Sequence, residues 1–131
     1  MSGFTVTTTD KSCNNKYNLG AYNIFQDSIV LCEDNIKESS YTVNQIMRHE
    51  MIHAIQENFG YEDEAIIPDP LLTHMAREVV PPGEAMYIIL NYPENQVDLE
   101  FEARILQNLP NWIVGPLLFV SEMYENIFLK R

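Results

Sequence analysis

The chain has 131 residues, 46% of them hydrophobic, and its 19 acidic against 8 basic side chains leave a formal net charge of −11. That length suits one compact domain with a real core, and so acidic a surface repels phosphate backbones, which argues against nucleic acid as a partner. The opening segment MSGFTVTTTD lacks a basic region followed by an apolar run, and no stretch reaches the ~20 apolar residues of a bilayer span; the expectation is a soluble, cytoplasmic protein without a signal peptide.

Residues 4–9 (FTVTTT) are rich in β-branched side chains and read as a strand. Residues 11–18 form a polar loop. Between 20 and 33 two extended runs, AYNIF and SIVLC, are split by the turn-like pair Gln26-Asp27. A small antiparallel sheet is expected here. Cys13 and Cys32 flank this hairpin. They lack the CxxC spacing of a metal knuckle. In a leaderless chain the expectation is structural thiols, with a disulfide as the alternative in an oxidising compartment.

A helix is expected over 42–57. Thr42 and Gln45 have the spacing of a capping box, and Gly60 is placed to stop the helix. At 100° per residue, Val43, Ile46, Met47, Met51 and Ala54 share one arc and Gln45, Arg48 and Gln56 another. His49 and His53 fall on the border, beside the core yet facing outward. Residues 60–70 form an acidic loop. Residues 71–80 suggest a short helix ended by Pro81-Pro82, and 83–90 are ambiguous between strand and helix. A further helix starts near Asn91 to Glu94, with Pro93 in its first turn, and runs to about Leu109 before Pro110. The tail, 112–131, reads as a last helix interrupted or begun around Pro116, with Lys130-Arg131 suiting a helix C-terminus. With no internal repeat or linker, residues 1–131 are read as a single α+β domain: a small antiparallel or mixed sheet, then an active-site helix and a C-terminal helical part.

The chemistry is concentrated in His49-Glu50-Met51-Ile52-His53, an instance of HExxH. On a helix, residues four apart lie one above the other, so both imidazoles reach one Zn2+ from a rigid surface. Glu50 lies one step round and can contact a water on that metal. A hydrolytic zinc site takes three protein ligands and leaves one position open. The third ligand has three candidates. Glu100 and Glu102 lie in EFEAR, where Ala103 shares a side with Glu100 and allows close helix packing. Glu102 points into the apolar arc of Val97, Phe101, Ile105, Leu106 and Leu109, where a carboxylate must be paired or bound to metal. His74, 21 residues after His53, is the third.

HEMIH followed by EFEAR resembles the gluzincin pattern of zincin metallopeptidases, in which a second helix carries a later E-x-x-A. The order Gly20-Ala21-Tyr22, then Ile29-Val30-Leu31-Cys32-Glu33-Asp34-Asn35, then His49 to His53 resembles the mitochondrial inner-membrane zinc peptidases that process an ATP synthase subunit. The resemblance spans residues 13–60 and the segment near Glu100. It implies a minimal zincin fold, a zinc-dependent peptidase and Glu100 as third ligand. Gln56 and Glu57 depart from the pattern where those peptidases carry an acidic residue. Arg104 departs where related gluzincins carry Asp or Asn, and 61–96 match nothing in the pattern.

On this reading Glu50 is the general base, the substrate is a peptide or protein, and the strand around 29–32 forms the cleft's rim and pairs with the substrate. Tyr87, Tyr92, His74 and Arg104 are candidates to stabilise an oxyanion. Two alternatives remain: a catalytically inactive zincin-fold protein holding zinc for structure within an assembly, and a metal-free interaction module.

Overall fold

The computed structural model describes residues 5–23, 26, 28–60 and 64–129. Phe4, Ile24, Phe25, Asp27, residues 61–63 and the Lys130-Arg131 end lie outside the described residues. Three strands, β1 (Thr5–Thr7), β2 (Gly20–Asn23) and β3 (Ser28–Leu31), form one sheet of order β1-β3-β2. β2 and β3 pair antiparallel, as the two extended runs predict, with Tyr22 opposite Ile29. β1 adds in parallel on the other side of β3, with Val6 opposite Ile29. The sheet is therefore mixed, and the strand expected to present an edge to substrate is its centre. Both sides of β3 are already paired, so the cleft-side edge belongs to β2.

Cys13 and Cys32 are joined in a disulfide, with Cα atoms 5.4 Å apart, which corrects the expectation of thiols. Local structure brings them together. Asp10 caps a 3-10 turn at Lys11–Asn14 by accepting from Ser12 N. Cys32 N donates to Leu19 O at 2.9 Å. Asn35 lies on a short helix, α1 (Glu33–Lys37), that the sequence pattern does not announce. Its amide nitrogen reaches the carbonyls of Cys13, Asn15 and Asn18 at 2.9, 3.1 and 2.8 Å.

The motif helix is α2 (Val43–Asn58). The capping box forms as expected, with Gln45 N donating to Thr42 Oγ1 at 3.2 Å and Thr42 N to Gln45 Oε1 at 2.9 Å. Just past the helix end, Gly60 takes φ +85°, a conformation that a side chain disfavours. Then come α3 (Asp69–Val79), α4 (Pro82–Asn91), α5 (Glu94–Leu106) and α6 (Asn111–Tyr124), the last continuing into a π-helical turn at Glu125–Leu129. The ambiguous stretch 83–90 is thus helical. Pro93 precedes α5 as its N-cap instead of sitting in its first turn. Pro116 lies inside α6 without ending it. Its ring removes one backbone donor, but buried Val114 and Leu118 on either side hold the helix to the core.

The core around the motif joins Ile52, Ala54 and Ile55 of α2 to Ala103 of α5 and to Val114 and Leu118 of α6. A second cluster seats β3 on α2 through Ile29, Leu31, Ile36 and Ile46. Truncating one such Ile to Ala typically costs about 2–5 kcal/mol. The motif helix is therefore clamped between sheet and helices, which fixes the direction of its polar residues. Among the described residues, no helix is long and apolar enough to cross a membrane.

Candidate metal centre

The capping box sets where α2 begins, and the 3.6-residue turn then places His49 and His53 on one side. Their rings meet edge to face, with centroids 4.8 Å apart. Potential ligand atoms of His49, Glu50 and His53 all lie within 4.8 Å of one another. His49 and Glu50 are buried, and His53 is half-buried. Gly20 makes room for this group. A Cβ there would lie 2.8 Å from Val30 O, 2.9 Å from Ile46 Cγ2 and 3.5 Å from Glu50 Cγ. A side chain there would collide with the β3 backbone and with Ile46, so β2 can seat this closely on α2 only with glycine at that position.

α5 crosses α2 with Ala103 fully buried at the contact. The methyl side chain lets the helices approach, and Glu100, one turn earlier, reaches across to both rings. Glu100 Oε1 lies 3.2 Å from His49 Nε2, and Oε2 lies 2.5 Å from His53 Nε2. Two imidazole nitrogens and one carboxylate thus converge, a donor set that suits zinc.

Glu102 does something else. Fully buried, it accepts from Gln56 Nε2 at 2.9 Å, Ile66 N at 3.0 Å and Ile67 N at 2.6 Å. These bonds satisfy the carboxylate that the apolar arc left unexplained. His74 sits exposed on α3 and does not line the cleft.

Electrostatics follow from this packing. Burial pushes the Glu50 carboxyl above its ordinary range, against the pull of His49 and His53 and with the help of Glu100. Burial opposes the charge on His53, but its hydrogen bond to Glu100 and that carboxylate's charge win and hold the imidazole up at about 9. Burial also opposes the charge on Glu100, and the hydrogen bonds from His49 and His53 overcome it and hold the carboxyl far below the carboxylate range. In the absence of a dication, both shifts favour a charged His53–Glu100 pair. Tyr92 is pushed above its usual range by burial and by Glu100, to which it is hydrogen-bonded. Its phenol stays protonated and donates to that carboxylate.

The cluster opens into a cleft of about 410 Å³. Asn15, Tyr17 and Asn18, from the segment behind the disulfide, form one wall. Tyr87, Tyr92 and Arg104 line the cleft as well, together with His49, Glu50 and Glu100. Three of the four oxyanion candidates are thus on the cleft, and His74 is not. Arg104 donates through Nη1 to Tyr41 Oη at 2.7 Å and lies 3.4 Å from Glu84 Oε1, away from the histidine Nδ1 atoms.

The acceptors facing those Nδ1 atoms are carboxamides that sequence reasoning did not assign to the site. Gln107 Oε1 is 2.8 Å from His49 Nδ1, and Gln56 Oε1 is 2.8 Å from His53 Nδ1. The available signal was spacing: Gln56 follows His53 by one helical turn, and Gln107 follows Glu100 by two. Comparison of the chain with known protein families, with curated proteins and with solved structures finds no match. The site is therefore interpreted from its own geometry.

Proposed function

We propose that this chain is a zinc-dependent peptidase, with His49, His53 and Glu100 holding the metal and Glu50 acting as general base. The observation that carries this reading is Glu100 bridging the Nε2 atoms of both motif histidines from a second helix, beside a buried Glu50 and at the floor of an open cleft. When bound, zinc supplies Lewis-acid activation of water and of the peptide carbonyl.

The chain's own groups do the rest. Glu50, with its carboxyl raised by burial, takes a proton from the attacking water and returns it to the leaving amine. Beside a bound dication the Glu50 carboxyl would stay ionised and so be ready to act as base. Tyr92 steadies Glu100 by hydrogen bonding. Tyr87 and Arg104 face the same space and can donate to a developing oxyanion. The start of β2, at Gly20, borders the cleft and supports an extended substrate better than the doubly paired β3.

A second reading, a structural zinc site in an inactive protein, is favoured by the way the cluster ties α2 to α5. The two readings part at Glu50. Under the peptidase reading, Glu50→Gln retains one zinc per chain and lowers kcat on a mixed fluorogenic peptide set by at least about 100-fold. An unsubstituted, zinc-loaded protein that cleaves none of those peptides, with Glu50→Gln indistinguishable from it, ends the peptidase reading.

A further inference from the structure

Beyond the ligands themselves, the structure carries an arrangement that determines which nitrogen each histidine presents. We propose that Gln56 and Gln107 are positioning residues that hold the Nδ1 proton of both histidines and leave Nε2 as the nitrogen that binds a metal, and that Glu102 acts through Gln56 to tie His53 to the backbone at 66–67. This rests on the zinc reading above.

The Gln56 carboxamide is 2% exposed. Its nitrogen faces two acceptors, Leu99 O at 3.1 Å and the Glu102 carboxylate at 2.9 Å. Turning the amide over would set its oxygen against a carbonyl and a carboxylate, two repulsive contacts in a buried place. The oxygen must therefore face His53 Nδ1, at 2.8 Å. An amide oxygen can only accept, so Nδ1 carries the hydrogen and Nε2 presents its lone pair to a metal.

Glu102 cannot swing away and release Gln56. Its two oxygens already accept from Ile66 N and Ile67 N at 3.0 and 2.6 Å. The series from loop backbone to carboxylate to carboxamide to imidazole is closed at every joint. At the other ring, Gln107 Oε1 lies 2.8 Å from His49 Nδ1, and Gln107 is 2% exposed. Both partners are uncharged. They orient the rings without the added basicity that a carboxylate partner confers.

The test uses the full-length chain and two readouts. In the zinc-free, unsubstituted protein, nitrogen–proton correlation spectra of the imidazoles should show a slowly exchanging proton on Nδ1 of both His49 and His53. Gln56→Met should remove the His53 signal alone, and Gln107→Met the His49 signal alone. Zinc affinity, measured by competition with a chromogenic chelator, should fall about 10- to 100-fold in each variant. Glu102→Gln should weaken zinc binding through Gln56 while leaving the His49 signal in place. A merely structural Gln56 would lower thermal stability without changing either readout in the folded protein, and that result overturns the proposal. So does a bare Nδ1 on His53 in the unsubstituted protein, which requires no variant to fold. Failure of the unsubstituted protein to bind zinc removes the metal reading instead, and the imidazole spectra still decide the positioning.

Discussion

Removing zinc should leave a protein whose stability falls with rising pH where that of the loaded form does not. In the metal-free chain His53 is held at about 9 against an ordinary 6.5, so the fold binds its proton more tightly than the unfolded chain does. That stabilisation is full below about pH 6.5 and is lost as pH rises through about 9. Glu50, also pushed up, acts in the same direction. At about 1.36 kcal/mol per pH unit, the His53 difference corresponds to about 3 kcal/mol. Because 20% of its side chain is exposed, solvent screening trims this to about 2 kcal/mol. With about 2.1 cal/mol/K of unfolding entropy per residue over 131 residues, each kcal/mol shifts Tm by about 4 °C. The zinc-free protein should therefore lose about 8 °C between pH 6.5 and 9.5. The zinc-loaded protein should instead hold its stability across that range, because the metal keeps His53 neutral and the unfolded imidazole is largely neutral there too. Thermal melts followed by far-UV circular dichroism, with chelator or with excess zinc, measure both curves. A zinc-free Tm that stays level or climbs across that window refutes the ion-pair account of the cluster.

Ala103→Leu inserts a larger side chain where α5 meets α2. It should cost about 1–3 kcal/mol and lower zinc affinity by drawing Glu100 off the histidines, as a chelator titration would register; unchanged affinity would show that Glu100 does not depend on that close approach. Glu102→Leu leaves Ile66 N and Ile67 N without their acceptor and should cost about 3 kcal/mol in a urea melt. A midpoint equal to that of the unsubstituted chain would contradict the role given to that carboxylate. His74→Ala should change neither zinc stoichiometry nor peptide turnover, because His74 is exposed and off the cleft; loss of either would return it to the site.

Local signals in the sequence proved dependable where a residue acts on its own neighbourhood. Thr42 and Gln45 announce the start of α2, Gly60 its end, and the spacing of His49 and His53 their shared side. Long-range partnership was less legible. β1 pairs with β3 across the intervening β2, and nothing in the β-branched run at 4–9 states which strand it will join. Glu102 looked like a possible ligand because its position is apolar, and its true partners, Gln56 and two loop amides, lie on separate elements. The disulfide stands in the sequence only as the alternative to thiols, for a different reason. The expectation of thiols rests on compartment, whereas the meeting of Cys13 and Cys32 depends on a locally capped 3-10 turn and on the long-range bonds of Asn35. Pro116 was read as a break because its lost hydrogen bond is visible in sequence, while the compensating burial of Val114 and Leu118 is not.

The cross-link between Cys13 and Cys32 anchors the segment that carries Asn15, Tyr17 and Asn18 into the cleft. The part of the groove that carries these residues is thereby stapled by a covalent bond, and the part that carries Tyr92 and Arg104 is held by helix packing and by side-chain bonds to Glu100, Tyr41 and Glu84. Where glutathione keeps sulfur reduced, the stapled part would rest on Asn35 and a few backbone bonds, and the groove would lose definition without any change at His49, His53 or Glu100. The shape of that groove thus depends on the chemical surroundings in which the chain matures, whereas His49, His53 and Glu100 keep their places through the buried contact between α2 and α5.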